Sequence, residues 1–309
     1  MKVTVIGAAG SVGAPVAFYT TVSGLASQLV LIDLRLNVVK QHALDLGTAA
    51  SAAGRSVAVK AGGYEDMAGS DVVINAAGVQ QGLIADRMEM LPNNIPLVRD
   101  TAYEVKRMCP EAVVITATNP VDPLNYAMWR AGDFERHRVI GYNLNDSFRF
   151  RELIALARGV DVARVEATVI GEHGSTQVPL FSSVRIDGEA VSLGDDERAA
   201  VAGEIPNILK RYEELQASRT AGWTCAVGIT KLLRAIRDES NEVFPCSCVL
   251  DGEYGQRALS IGVPVVLGRQ GVREIRQWPL APAEQAAFER SAASMQAAAR
   301  GVDKCTTGG

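Results

Sequence analysis

Residues 3–13 read VTVIGAAGSVG, and the reading of this stretch decides the fold. A β-branched run, Val3–Ile6, passes directly into glycines at positions 7, 10 and 13, and a helical pattern opens at Ser11. Strand, turn and helix in immediate succession give those glycines a purpose. They permit a tight turn and let backbone N–H groups approach a pyrophosphate, whose charge the positive end of a helix favours. Pro15 fits only near the start of that helix, where its missing N–H does least harm. A second apolar strand, LVLID, ends at Asp33, 20 residues beyond Gly13. A carboxylate about that far on accepts hydrogen bonds from an adenosine ribose diol and repels a 2′-phosphate, so NAD is predicted over NADP. The spacing GxxGxxG is a weak signal alone, and the acidic residue makes it specific.

Outward from this stretch, short apolar runs alternate with helix-length segments: Leu29–Ile32, Val57–Val59, Val72–Asn75 and Val113–Thr116. Such alternation implies crossover connections and a doubly wound parallel sheet of the Rossmann type. The second half changes character. Helical patterns over Ser147–Arg158, Glu197–Leu215 and Thr224–Arg237 mix with strand runs at Val165–Ile170, Val243–Leu250 and Ala258–Val266. Asp187-Gly188 and Asp251-Gly252 suit antiparallel hairpins. The expected organisation is α/β, with a dinucleotide-binding domain over 1–143 and an α+β catalytic domain over 144–309. An Ala-rich helix over Pro282–Arg300 closes the chain, and the Gly/Thr-rich tail after it is expected to be mobile.

Composition narrows the partners. The 309 residues carry a formal charge of −4, with 48% hydrophobic and 21% charged side chains. Scattered basic residues on an acidic chain exclude a nucleic-acid or anionic-membrane surface, which leaves a small molecule as the expected partner. No apolar run reaches the ~20 residues that span a bilayer. Five cysteines without metal-type spacing read as reduced thiols, so a cytoplasmic protein with no metal is expected.

Chemistry must be argued from a second site, because a dinucleotide fold hosts many reactions. A short-chain reductase needs tyrosine and lysine as YxxxK, and none of the seven tyrosines has a lysine four residues on. One of only three histidines, His173, stands instead in IGEHGSTQVP, where a strand gives way to a loop. Imidazole titrates near neutral pH, which suits reversible proton transfer. Asp146 and Arg149 lie three apart on a helical pattern, hence on nearly one face. Taken singly, a lone histidine and a surface ion pair are the blander readings, and only their conjunction with a dinucleotide motif reverses that preference.

At this point the chain resembles the lactate/malate dehydrogenase family over nearly its whole length. The resemblance is carried by GAAGSVG with Asp33, AAG at 76–78, DRMEMLPNN ending at Asn94, TNPVD at 118–122, NDSFRF at 145–150, GEHG at 171–174 and IGVPVVLGRQGV at 261–272. The pattern is most similar to the archaeal-type malate/lactate branch. The resemblance implies that His173 exchanges a proton with the substrate oxygen while hydride passes to or from the nicotinamide, and that Asp146 orients the ring. It implies that Arg149 clamps the substrate carboxylate, that Arg87 polarises the carbonyl from a closing loop, and that Asn119 hydrogen-bonds near substrate and nicotinamide. Trp223 and Thr224 would line the substrate pocket. Cofactor contacts are implied for Gly7, Gly10, Ser11, Val12, Gly13, Asp33, Ala77, Gly78, Asn94, Thr118 and Asn119. A homodimer or homotetramer is implied as well.

In this family the residue six before the loop arginine sets side-chain preference: arginine goes with malate and glutamine with lactate. Here it is Gln81, and residues 79–85, VQQGLIA, carry no positive charge. A second carboxylate closed under that loop would lack a partner, so a neutral substrate side chain is expected, with malate as the alternative. Three departures surround the pocket. His173 is followed by Gly-Ser-Thr rather than the usual HGDS or HGDT, GYNLND before Asp146 is one residue short with asparagine for leucine, and Trp223 replaces a small residue. A non-catalytic dinucleotide sensor on the same fold is the rival from another class.

Overall fold

The computed structural model describes residues 1–79, 87–215 and 220–307. The chain opens with β1 (Lys2–Ile6), α1 (Gly13–Val22), β2 (Gln28–Ile32), α2 (Leu36–Ala52) and β3 (Ala58–Ala61). It continues through β4 (Val72–Asn75), α3 (Leu91–Met108), β5 (Val113–Thr116), α4 (Val121–Gly132) and β6 (Val139–Tyr142). These six strands are parallel in the order β3-β2-β1-β4-β5-β6. Every residue of β4, β5 and β6 is buried, as a sheet covered by helices on both faces requires. The order reverses between β1 and β4, and the crevice above that switch point is where such sheets take a ligand.

Beyond β6 come α5 (Leu144–Arg158), β7 (Val165–Glu166), β8 (Val169–Gly171), β9 (Gln177–Pro179), β10 (Arg185–Ile186) and β11 (Glu189–Ala190). Then follow α6 (Asp195–Glu214), α7 (Gly222–Asp238), β12 (Val243–Asp251), β13 (Arg257–Gly268), β14 (Gly271–Ile275) and α8 (Pro282–Thr307). The antiparallel strands β12, β13, β8 and β9 continue the parallel sheet from its β6 edge, and β14 pairs with β13. One sheet therefore runs across residue 143. Only β7, β10 and β11 form a separate small sheet. The single run expected over Val165–Ile170 is thus two strands serving different sheets, parted at Ala167 and Thr168.

One contiguous core extends from Val3 to Val302, and a satellite core of Phe150, Ile154, Val165, Val184, Leu193 and Val201 lies under the small sheet. The hairpin at Asp187-Gly188 has both residues at positive φ, 55° and 79°, which the right-handed strand twist favours. The closing helix differs from expectation: α8 runs on to Thr307, so residues 301–307 of the segment expected to be mobile are helical. Val302 is fully buried in the core, and Asp303 accepts from the Tyr126 hydroxyl, which gives that last stretch something to dock on.

α1 packs on α7, and α4 packs on α3 and α8. Two glycines of α7 make its approach possible. A Cβ on Gly222 would fall 1.9 Å from the Ser11 carbonyl oxygen, and one on Gly228 would fall 2.0 Å from the Tyr142 hydroxyl. Gly228→Ala should therefore cost about 1–3 kcal/mol of stability, the usual range for overpacking a core. Urea unfolding of the variant checks it, and an unchanged midpoint would mean that this helix is not pressed against Tyr142.

Candidate active site

The glycine turn is built as its spacing requires. Gly7 leaves β1 at φ 81°, and a Cβ on Gly13 would lie 2.2 Å from the Gly7 carbonyl oxygen. The Gly10 N–H donates to Gly7, and the Ala14 N–H to Gly10. Among the described residues no carbonyl accepts from the N–H groups of Ser11, Val12 or Gly13. These are the orphan donors of a helix start, available to a phosphate.

Asp33 follows β2 beside this turn. Its carboxylate accepts from the backbone N–H groups of Ala9 and Arg35, each at 3.0 Å. Burial alone would raise its pKa, but those two bonds and the Arg35 guanidinium outweigh it and hold the carboxyl below its ordinary value. It stays ionised, as a ribose acceptor must be.

The neighbouring strand ends complete the crevice. After β4, the Ala77 carbonyl accepts from the Thr118 hydroxyl at 2.6 Å, and a Cβ on Gly78 would press on Thr118 at 3.2 Å. Asn94, from α3, clamps two loops at once: its Oδ1 accepts from the Val79 N–H, and its Nδ2 donates to the Asn119 carbonyl. The peptide between Asn119 and Pro120 is cis. The Asn119 Oδ1 is buried and has no hydrogen-bond partner among the described residues. An acceptor left bare in a crevice is a costly feature unless a ligand meets it. Free donors at Ser11–Gly13, an ionised Asp33 and a bare Asn119 acceptor together fit NAD.

The histidine expected to transfer the proton lies at the β8 end of the sheet. His173 Nδ1 stands 2.5 Å from Asp146 Oδ2, and both residues are buried. Arg149 Nη1 reaches Asp146 Oδ1 at 3.3 Å, so the helical spacing did place both on one face. Asp146 sits in the first turn of α5, which begins at Leu144, earlier than its apolar pattern suggests. The carboxylate of GEHG also has structural work: Glu172 accepts from the Thr176 N–H at 3.0 Å, and its own backbone N–H donates to Ser291 of α8.

The remaining expected residues are placed less centrally. Trp223 is 78% exposed on the first turn of α7, and Thr224 beside it is half-buried, its carbonyl accepting from Tyr142. Arg87 opens a short 3-10 turn, Arg87–Met90, while its side chain and all of Gln81 lie outside the described residues.

Two features escaped the sequence. Asp122, inside the quoted TNPVD, accepts the His173 backbone N–H on Oδ2 at 2.6 Å and is 1% exposed. Behind Asp146, the Tyr142 hydroxyl donates to Asn145 Oδ1 at 2.6 Å, and Asn145 Nδ2 donates to the Cys225 sulfur at 3.3 Å. The asparagine that departs from the family pattern is thus part of a buried polar seam. A carboxylate on the otherwise apolar first turn of a helix was the only available signal for Asp122.

A crevice that fits a dinucleotide, with an imidazole–carboxylate pair and an arginine at its far end, defines an NAD-dependent oxidoreductase. Residues 1–141 match the family model for the lactate/malate dehydrogenase NAD binding domain, and residues 144–304 match that for the alpha/beta C-terminal domain. The chain belongs to the lactate/malate dehydrogenase family. It is 37% identical over 285 residues to a malate dehydrogenase of Natronomonas pharaonis, covering 90% of this chain and 92% of that one. It is 33% identical over 301 residues to L-lactate dehydrogenase 1 of Staphylococcus aureus, covering 96% and 95%. Among solved structures, the lactate dehydrogenase of Cryptosporidium parvum complexed with lactic acid and the cofactor superposes with a TM-score of 0.93 at 30% identity, covering 98% of each chain.

Asp122 makes the site's stability pH-dependent. Burial pushes its carboxyl up to about 6, against a lowering by Ser247 and by the His173 N–H. The folded protein then holds a proton that the unfolded chain has already released, so stability falls as pH rises from about 4 through about 6. The loss is on the order of 3 kcal/mol. Asp122→Asn removes this component. Its stability relative to the parent should therefore improve by about that amount between pH 4 and pH 7.5, measured by denaturant unfolding at both ends, and an equal difference at the two would contradict the burial argument.

Proposed function

We propose that this chain is an NAD-dependent L-2-hydroxy acid dehydrogenase that prefers a 2-oxo acid with a neutral side chain. The observation that carries the side-chain preference is the absence of any cation over residues 79–85, with Gln81 six positions before Arg87. Oxaloacetate enclosed there would bury a second carboxylate unpaired, a cost of several kcal/mol.

Bound NAD supplies the hydride acceptor or donor. The chain's own residues do the rest. Asp146 accepts a hydrogen bond from the Nδ1–H of His173 and so aims Nε2 at the substrate oxygen, which is protonated or deprotonated there. Arg149 pairs with the substrate carboxylate in a bidentate fork that lysine does not reproduce. Arg87 polarises the carbonyl, and Asn119 offers its bare acceptor at the nicotinamide end. Trp223 and Thr224 border the substrate's side chain. The names of the haloarchaeal relatives favour a second reading, malate/oxaloacetate. The family pattern supports a homodimer or homotetramer, and four buried cysteines suit a reducing cytoplasm.

Steady-state NADH oxidation with a panel of 2-oxo acids should give a kcat/KM for pyruvate-like substrates at least about tenfold above that for oxaloacetate, and Gln81→Arg should reverse the order. Preference for oxaloacetate in the parent protein would refute the reading of Gln81. His173→Asn should retain NADH binding and lose about 10²–10⁴-fold in turnover. A parent protein that binds NADH yet turns over no member of the panel is a sensor, and the enzyme reading fails.

A further inference from the structure

The buried carboxylate of Asp122 has no part in the mechanism just described, yet it touches the acid/base residue. It stands on the first turn of α4, two residues past Pro120, and grips the loop after β8 by the His173 N–H at 2.6 Å. Among the described residues no arginine or lysine forms an ion pair with it. The titratable groups that face it are His173 and Glu172 from that loop and the Cys248 thiol of β12. From α5, Asp146 reaches the imidazole itself, and Arg149 reaches Asp146. Glu172 is already committed to Thr176.

An asparagine would offer the His173 N–H the same oxygen acceptor without any charge to desolvate. A carboxylate at a site 1% exposed is therefore an expensive choice for a purely structural bond. What it alone provides is a negative charge against the one side chain that must become cationic in the reaction. We propose that Asp122 is a positioning residue and a second counter-charge for His173: its hydrogen bond holds the loop so that the ring meets Asp146, and its charge favours the imidazolium. The same helix follows Thr118 and Asn119, so the nicotinamide end of the crevice and the proton-transfer group are tied to one rigid element. This inference rests on the proposed dehydrogenase chemistry for its charge role. Its positioning role can be read without turnover.

The test compares Asp122→Asn, which keeps the acceptor and loses the charge, with Asp122→Ala, which loses both. In the full-length protein, hydrogen exchange at the loop 171–174 should accelerate about tenfold or more in the alanine variant and much less in the asparagine variant. With the best 2-oxo acid, the alanine variant should lose about tenfold or more in kcat and show a larger primary deuterium isotope effect with deuterated NADH, at an unchanged Kd for NADH. In the asparagine variant the alkaline limb of kcat/KM for 2-oxo acid reduction should move to lower pH, because removing a nearby negative charge disfavours the protonated ring. That variant should meanwhile be the more stable protein at neutral pH, a divergence that a structural role alone does not produce. Equal loop exchange in all three proteins overturns the positioning role, and an unmoved alkaline limb overturns the charge role. Should the alanine variant fail to fold, exchange in the asparagine variant still bounds the hydrogen bond, and its pH profile decides the charge. Absence of turnover in the parent protein defeats the dehydrogenase reading and the charge role with it, while the exchange comparison decides positioning by itself.

Discussion

The contact of His173 Nδ1 with Asp146 Oδ2 at 2.5 Å is the constraint around which the site is arranged. It joins residues 27 positions apart, one on the first turn of α5 and one on the loop that leaves β8. A carboxylate at Nδ1 decides the tautomer and leaves Nε2 as the ring nitrogen that does not bond Asp146. Neither partner can be spared cheaply. Both are buried, and removing Asp146 would take the one carboxylate that meets both the His173 ring and Arg149.

Three buried carboxylates meet at the His173 loop: Asp146 at the ring, Asp122 at the His173 backbone N–H and Glu172 next to it in the chain, and Arg149 pairs with Asp146. Each carboxylate is met differently. Asp146 has the charged partner, Glu172 has the N–H and hydroxyl of Thr176, and Asp122 has a backbone N–H with Ser247 nearby. Burial pushes the Asp122 carboxyl up to about 6. The arrangement trades stability for a field that suits a cationic ring, and trades of this kind concentrate at functional sites.

The cofactor end was legible because its physics is local. Gly7, Gly10, Gly13 and Asp33 lie within one βαβ unit, so spacing in the sequence is nearly spacing in the crevice. Arg149 and Asp146 were legible for the same reason, being one helical turn apart. Partners that depend on long-range pairing were not. The continuation of the parallel sheet by β12 and β13 brings Cys246 opposite Tyr142, residues 104 apart, and no periodicity in either strand announces that edge. The division of Val165–Ile170 follows from two pairings, Val165 with Ile186 and Gly171 with Gln177, that pull the ends of one apolar run into different sheets. The helical tail to Thr307 was missed because its composition argues for mobility, while the burial of Val302 argues against it and is visible only in three dimensions.

The short joint between β6 and α5 shows how a departure in sequence becomes a mechanical link. With one residue fewer, α5 begins almost at the strand end, and Asn145 is turned inward beneath Asp146. There it accepts from Tyr142 and donates to Cys225, while Tyr142 also reaches the Thr224 carbonyl. The first turn of α7 is thereby held from one side by α5 and from the other by the glycine turn, where the Ser11 carbonyl sits against Gly222. A leucine in place of Asn145 would fill the same space but could neither accept from the hydroxyl nor donate to the thiol. The polar seam therefore fixes the distance between the phosphate seat and the helix that carries Asp146 and Arg149, and hydride and proton transfer both depend on that distance.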